Sequence, residues 1–214
     1  MSDSGVPPTA AAASSPPARI GRESLNLPNL ITVSRLVLAV VLFALIDVGG
    51  YWLTSATLFV VAASTDWIDG YLARKYGQVT ILGRILDPFA DKIIIGGTFL
   101  FLLEKNGTGA GSDQIESGVN AWMAIAVIGR EMFISSLRGF LEQQGKDFSA
   151  SFSGKAKMLL QCVAVTASLL SLSPDLDWSW LVPTRDILLW SAVAATIWSG
   201  LVYVIRAIRL LRSN

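Results

Sequence analysis

Six long apolar runs constrain what this chain of 214 residues can fold into. Crossing about 30 Å of hydrocarbon takes roughly 17–25 residues of α-helix, and each run has such a length. The runs are Leu30–Ile46, Trp52–Tyr71, Ile85–Leu103, Val119–Leu141, Ala156–Leu172 and Ile187–Leu210. The sequence therefore predicts an all-α, polytopic membrane protein with six transmembrane helices. The segment "NLPNLIT" at the first run predicts an N-terminal interfacial stretch that leads into the membrane.

Composition supports a membrane protein and excludes several kinds of site. Apolar residues make up 52% of the chain and charged residues 15%, whereas soluble domains carry about 25% charged residues. The chain has no histidine, which excludes Ser-His-Asp catalysis and histidine-ligated zinc. Its one cysteine, Cys162, cannot form a disulfide within the chain.

The chain divides into a tail and one domain. Residues 1–24 are rich in Pro, Ala, Ser and Gly and show no apolar period, which predicts a disordered tail. Residues 25–214 contain no linker that would divide them, and they are predicted to form a single membrane domain.

Lysine and arginine are concentrated on one side of the predicted helices. The N-terminal tail, the second-to-third connection, the fourth-to-fifth connection and the C-terminus carry most of them, whereas the opposite connections carry Lys105 and Arg185. The positive-inside rule then places both termini in the cytoplasm. The tail is accordingly predicted to be cytoplasmic.

Four aspartates lie near the predicted cytoplasmic ends of the second and third helices. Asp66 and Asp69 are three residues apart, and Asp87 and Asp91 are four apart, so each pair shares a helical face. The connection between the helices is short, which makes them antiparallel neighbours with both pairs at a similar depth. Uncompensated carboxylates at that depth would each cost several kcal/mol.

Three explanations of this cluster compete. The aspartates could form a structural ion-pair cluster with Arg74, Arg84 and Lys92, or line the cation pathway of a metal-ion transporter. A transporter would need polar groups across the bilayer, and the two helices carry almost none beyond their cytoplasmic half. The third explanation is a divalent-metal site, because carboxylates are the ligands that Mg²⁺ and Mn²⁺ prefer. Two such ions would offset all four charges and would also bind a pyrophosphate.

Small residues accompany the aspartates at fixed spacing. The run Asp66-x2-Asp69-Gly70-x2-Ala73-Arg74-x8-Gly83-x3-Asp87-x3-Asp91 resembles the signature of the CDP-alcohol phosphatidyltransferases at every specified position. In that family an acceptor alcohol displaces CMP from a CDP-linked lipid. The resemblance implies a six-helix homodimer whose site opens to the cytoplasm.

The resemblance also implies a role for each position. The four aspartates would bind two divalent cations, Mg²⁺ or Mn²⁺, with Asp91 as both ligand and general base. The residues that would border the CDP-lipid, CDP-diacylglycerol, are Asn29, Thr32, Gly70, Ala73, Arg74, Thr80 and Gly83.

A second set of charges predicts the acceptor. Arg130 and Arg138 are two turns apart on the fourth helix, with Lys155 and Lys157 at the start of the fifth. Arginine inside a membrane needs an anionic partner, and a phosphate-bearing acceptor supplies one. The alternative is internal pairing, for example of Arg130 with Glu131.

The stretch containing these residues is similar to that of bacterial phosphatidylglycerophosphate synthases, which form one branch of the family. This implies phospholipid biosynthesis from CDP-diacylglycerol and sn-glycerol 3-phosphate in a membrane lipid environment. Gly139 stands where an acidic residue is common in that branch, and Met158 stands in place of threonine, so serine or inositol phosphate stays open as the acceptor. No nucleic-acid partner is expected.

Overall fold

The computed structural model describes residues 27–76, 81–106, 116–144, 152–176 and 178–212, with side chains described outside 27–29, 66–76, 81–85, 152–153 and 155. These residues form six α-helices, and no strand occurs among them. The helices are α1 (Leu27–Val48), α2 (Trp52–Tyr76), α3 (Ile81–Glu104), α4 (Ala121–Gln143), α5 (Phe152–Ser171) and α6 (Leu181–Arg212). The prediction of an all-α fold with six helices is confirmed.

Five of the six helix starts differ from the predicted ones, by two to six residues, and the differences at α3 and α6 each involve a proline. α3 begins at Ile81, which places Pro88 inside the helix instead of in its first turn. Proline has no N–H, so it removes one intrahelical hydrogen bond, a loss that apolar helices tolerate when neighbouring groups compensate. α6 begins at Leu181, six residues before the predicted Ile187, so the segment "LVPT" forms its first turn. Pro183 fits there, because the first N–H groups of a helix have no intrahelical partner.

α1 and α6 are long and apolar enough to cross a membrane, over Leu30–Val48 and Leu181–Arg212 respectively. Shorter apolar stretches occupy Trp52–Thr65 of α2 and Ala156–Ser171 of α5. The remaining helices contain charged residues within their apolar sequence, and those charges define the candidate site. Six membrane crossings therefore stay a prediction.

Polar contacts tie the helices together at the end of the bundle formed by residues 47–51, 104–106, 116–120 and 171–181, here called the closed end. The Lys105 ammonium donates to the carbonyl of Asp47 at 2.9 Å. The Ser117 hydroxyl donates to the carbonyl of Leu102 at 2.6 Å, and the Ser168 hydroxyl donates to the carbonyl of Ser117 at 2.6 Å. These contacts join the ends of α3 and α5 to the start of α4.

Arg185 completes the closed end. Its guanidinium donates to the carbonyl of Glu116, to the Ser171 hydroxyl at 3.3 Å and to Asp186 at 2.9 Å. Gly118 has φ +75°, and a Cβ built there would lie 2.6 Å from Nε of Arg185. Both the left-handed backbone and the lack of space require glycine at this position.

The larger apolar core fills the half of the bundle that adjoins the closed end. Its buried members lie in the C-terminal halves of α1, α3 and α5 and the N-terminal halves of α2, α4 and α6, and include Leu42, Phe59, Phe99, Met123, Leu169 and Leu189. At the opposite end, here called the polar end, a smaller cluster joins α4 and α6 through Ile134, Leu141, Tyr203 and Ala207. The charged candidate residues lie at the polar end.

Helices α1 and α3 approach closely at Gly97. A Cβ built on Gly97 would overlap the ring of Phe43 on α1. That ring is stacked on Phe101, with centroids 5.0 Å apart, and so has little room to turn away. The close approach aligns α1 with α3 and so positions the polar groups that lie further along both helices.

Candidate active site

The first candidate cluster joins α1 to α3 at the polar end. Asp87 and Asp91 lie one turn apart on α3, as their spacing predicts. Thr32 and Arg35 lie three residues apart on α1 and face them. The Thr32 hydroxyl donates to Oδ1 of Asp87 at 2.5 Å, and Nη1 of Arg35 donates to Oδ1 of Asp91 at 3.1 Å. Asp87 and Asp91 therefore each have a polar partner on α1.

Arg35 is the most buried charged group of this cluster. Its side chain is 1% exposed, whereas that of Asp91 is 32% exposed. A buried guanidinium needs an anionic partner, since an unpaired charge away from water is costly. The Arg35–Asp91 ion pair satisfies that need and fixes the direction in which the Asp91 carboxylate extends from α3.

The described carboxylates are suited to a divalent cation. Asp87 and Asp91 present hard oxygen ligands one turn apart, and the donor to Asp87 is a neutral hydroxyl that leaves its negative charge in place. α2 contacts α3 and is helical through residues 66–76, which include both further aspartates. Among the side chains that the structure describes, no group of three or more possible metal ligands occurs, and Asp66 and Asp69 lie outside them.

Several predicted site residues lie outside the described side chains. Thr80 falls between α2 and α3, in residues 77–80, and the tail over 1–24 is likewise outside the description. The backbone of the others is helical, but their side chains are not described; they are Asn29, Asp66, Asp69, Gly70, Ala73, Arg74, Gly83 and Lys155. Their proposed roles stay predictions from the sequence.

The second candidate cluster joins α4, α5 and α6 at the polar end. The Glu131 carboxylate accepts hydrogen bonds from Nη1 of Arg130, at 3.2 and 3.3 Å, and from Nζ of Lys157. The Arg130 guanidinium also lies over the ring of Tyr203, 5.4 Å from its centroid, in a cation–π contact. Two predicted acceptor residues, Arg130 and Lys157, therefore meet at one carboxylate. The predicted alternative, pairing of Arg130 with Glu131, is also present.

Arg138 lies two turns beyond Arg130 on α4. Its Nε is buried and has no hydrogen-bond partner among the described residues, and the same holds for Nε of Arg130. A buried donor without a partner costs about 1–3 kcal/mol. Both guanidinium groups therefore keep donor capacity for an anion.

Sequence reasoning missed Arg35, Glu131 and Tyr203 as site residues. Arg35 could have been found, because it is the one charged residue between Leu27 and Ile46 and so requires a buried anion. The contact of Glu131 with Lys157 depends on how α4 and α5 both pack against α6, which local spacing does not specify. Nothing in the sequence around Tyr203 distinguishes it from other aromatic residues of apolar helices, so its role could not be predicted.

A family model described as CDP-alcohol phosphatidyltransferase matches residues 25–198 of the chain. The chain belongs to this family. The match includes both clusters except Tyr203, and it begins just before α1. Membership of the CDP-alcohol phosphatidyltransferases confirms the family resemblance of the aspartate signature.

Several curated relatives of the chain carry the same enzyme name. A protein of Bacillus subtilis (strain 168) named CDP-diacylglycerol--glycerol-3-phosphate 3-phosphatidyltransferase is 34% identical over 192 residues, covering 83% of this chain and 93% of the relative. A Rickettsia bellii (strain RML369-C) protein of the same name is 34% identical, with the same two shares. A protein of Arabidopsis thaliana with this name and the number 2 is 32% identical, over 91% of this chain and 85% of its own length.

Proposed function

We propose that this CDP-alcohol phosphatidyltransferase acts in phospholipid biosynthesis and transfers the phosphatidyl group of CDP-diacylglycerol to sn-glycerol 3-phosphate. The products are phosphatidylglycerophosphate and CMP. One observation of the structure carries the proposal: a carboxylate cluster suited to a cation and a cationic cluster suited to a phosphate lie at the same end of the bundle. The names of the relatives support this choice of acceptor.

The carboxylate cluster is the proposed donor site. Asp66, Asp69, Asp87 and Asp91 would hold two divalent cations, Mg²⁺ or Mn²⁺. Bound there, the cations would neutralise the pyrophosphate and stabilise the departing CMP. Asp91 would accept the proton of the acceptor hydroxyl, and its ion pair with Arg35 would hold the carboxylate in position for that transfer.

The CDP-lipid is proposed to lie along α2 and the start of α3. Gly70, Ala73 and Gly83 would leave space for the cytidine, with Arg74, Thr80 and Asn29 as polar contacts. Thr32 would contribute by holding Asp87, its hydrogen-bond partner. Gly70, Ala73, Arg74 and Gly83 are positions of the family signature. The other three residues are assigned from the family resemblance of the segments beside it; they are Asn29, Thr32 and Thr80.

An apolar groove beside α2 suits a lipid donor. Its volume is about 520 Å³, and its lining comes from α2, α5 and the region from Trp178 to Leu188. The lining includes Ser64, which precedes Asp66 by two residues. An acyl chain of CDP-diacylglycerol would lie in this groove when its pyrophosphate is at the aspartates.

The cationic cluster is the proposed acceptor site. Arg130, Arg138 and Lys157, together with Lys155, would bind the phosphate of glycerol 3-phosphate. Guanidinium groups suit this task because they present two parallel N–H donors to a phosphate.

The location follows from the same reasoning. We propose six membrane crossings in the cytoplasmic (inner) membrane, with both termini and the tail over 1–24 in the cytoplasm and one membrane domain over 25–214. Both substrates would then reach the polar end from the cytoplasmic side. A homodimer is proposed from family membership.

An acceptor panel tests the proposal. Purified protein receives labelled CDP-diacylglycerol with glycerol 3-phosphate, serine, inositol phosphate or unphosphorylated glycerol, and CMP release is measured. We expect turnover with glycerol 3-phosphate, little with glycerol, and loss of turnover in excess chelator that Mg²⁺ or Mn²⁺ restores. Preference for serine or inositol phosphate would support the same reaction class but contradict glycerol 3-phosphate as the acceptor. Full turnover in excess chelator would reject the metal site.

A further inference from the structure

The contact between Arg130 and Glu131 is an imperfect ion pair. The two residues are adjacent on α4, and adjacent side chains of a helix do not face each other. Only Nη1 of the guanidinium reaches the carboxylate, with both oxygens at 3.2 and 3.3 Å. Nε has no partner among the described residues. Arg130 therefore does not use the parallel pair of donors with which guanidinium groups bind anions most strongly.

The single negative charge of Glu131 does not neutralise the two positive charges of its partners, Arg130 and Lys157. Lys157, which is 4% exposed, donates to the same Oε1 that contacts Arg130. Two cations thus share one carboxylate, and the three groups keep a net charge of +1. The face of the Tyr203 ring offsets part of that charge through its contact with Arg130.

We propose that Glu131 is a displaceable internal anion, which occupies the acceptor-phosphate pocket when the pocket is empty and gives up Arg130 and Lys157 when the acceptor binds. This inference rests on the function proposed above. Without an acceptor, two buried cations would otherwise repel each other. A phosphate dianion brings more charge than a carboxylate, and it can take both donors of the guanidinium. Glu131 is then a residue that sets the affinity for the acceptor.

The inference predicts that removing the charge of Glu131 strengthens acceptor binding. When an internal group occupies a pocket part of the time, the apparent Kd equals the intrinsic Kd divided by the fraction of time that the pocket is open. Glu131→Gln keeps the shape but loses the competing charge. We expect the KM for glycerol 3-phosphate to fall roughly five- to tenfold, a moderate value for coupling between two binding events. The KM for CDP-diacylglycerol should not change.

A binding measurement separates this effect from catalysis. Inorganic phosphate is titrated into the purified protein, and binding is followed by calorimetry and by the rise in melting temperature. We expect tighter phosphate binding and a larger rise for Glu131→Gln than for the wild type. Glu142→Gln is the matched control, because Glu142 is exposed on the same helix; it should leave both quantities unchanged.

A second variant covers the case in which Glu131→Gln fails to fold. Glu131→Asp keeps the charge but shortens the side chain, so the carboxylate should hold Lys157 less well. We expect a smaller fall of the acceptor KM, in the same direction. Loss of folded protein in both variants would overturn the inference, because the carboxylate would then belong to the fold.

Other outcomes also decide the matter. A rise of the acceptor KM in Glu131→Gln would overturn the inference and indicate that Glu131 binds the hydroxyls of the acceptor. Equal change of both substrate KM values would indicate a structural role and overturn it too. Failure of the proposed acceptor pocket has a different signature: Arg130→Lys would then leave both the acceptor KM and phosphate binding unchanged.

Discussion

Arg35 and Asp91 show how one buried charge determines what its partner can do. The guanidinium is almost fully buried, so the orientation of the Asp91 carboxylate depends on a residue 56 positions earlier in the chain. The Thr32 hydroxyl, a neutral donor on a shorter side chain, likewise orients the Asp87 carboxylate. The first helix is therefore part of the candidate site, although the family signature lies on the second and third.

The Arg35–Asp91 pair predicts a stability change that a cation can reverse. Arg35→Gln should lower the free energy of unfolding by about 3 kcal/mol in chelator, the lower end for breaking a buried pair, since Asp91 keeps some contact with water. Mg²⁺ should restore part of this loss, because a cation at the aspartates supplies positive charge that Arg35 no longer provides. Thermal unfolding in detergent measures both effects. Arg209→Gln, at an exposed position of α6, is the control, and an unchanged melting temperature for Arg35→Gln would contradict the prediction.

Asp91 and Asp66 should respond differently to the loss of their charge. Asp91→Asn should still bind CDP-diacylglycerol but lose about 10²–10⁴-fold in kcat, as removal of a general base does. Asp66→Asn should mainly raise the Mg²⁺ concentration needed for half-maximal activity. Steady-state kinetics at several Mg²⁺ concentrations separate the two. Near-normal kcat for Asp91→Asn would mean that another group accepts the proton.

Arg138 offers a test of the acceptor that does not involve Glu131. A charge-assisted hydrogen bond to a partly buried phosphate contributes roughly 1.5–3 kcal/mol, so Arg138→Ala should raise the acceptor KM about ten- to hundredfold. Arg138→Lys should recover only part of this, because an ammonium lacks the planar pair of donors. The donor KM is the internal control. Equal damage to both substrates would point to a folding defect.

Helix packing depends on small residues at a few contacts. At Gly97 the ring of Phe43 leaves no space for a Cβ, and the stacking of that ring on Phe101 opposes its movement. At Gly129 on α4, by contrast, a Cβ would meet no atom within 4 Å. Packing therefore requires glycine at position 97 but not at position 129, although both residues lie inside helices.

These two positions predict opposite effects of the same substitution. Gly97→Ala should destabilise the protein by about 1–3 kcal/mol, because the added methyl group pushes α1 and α3 apart. Gly129→Ala should stabilise it by about 0.5–1 kcal/mol, because alanine loses less conformational freedom in a helix. Thermal unfolding of both variants under one detergent condition is the measurement. If Gly97→Ala melted as high as Gly129→Ala, the close approach of the two helices would be disproved.

Residue spacing along the chain predicted those features of the fold and site that depend on a single helix. The apolar runs predicted the six helices, and the spacing of Asp87 and Asp91 predicted one shared face. The predicted start of α6, Ile187, was wrong by six residues, because the apolar run does not include Pro183 although proline suits a first helical turn. The partners of Arg35 and of Lys157 could not be predicted, because they depend on how distant helices pack and not on spacing along one helix.

The uneven placement of the apolar core has a consequence for how the molecule opens. Most fully buried apolar side chains lie toward the closed end, where Arg185 also bridges several segments. Regions with few buried apolar contacts open with a smaller free-energy cost than the rest of a protein. Hydrogen–deuterium exchange in detergent should therefore be slow for amides near Leu42 and Phe99, and faster for those near Thr32 and Asp87. Mg²⁺ with CDP-diacylglycerol should slow exchange only for the amides near Thr32 and Asp87. Ligand binding would then order the polar end of the bundle.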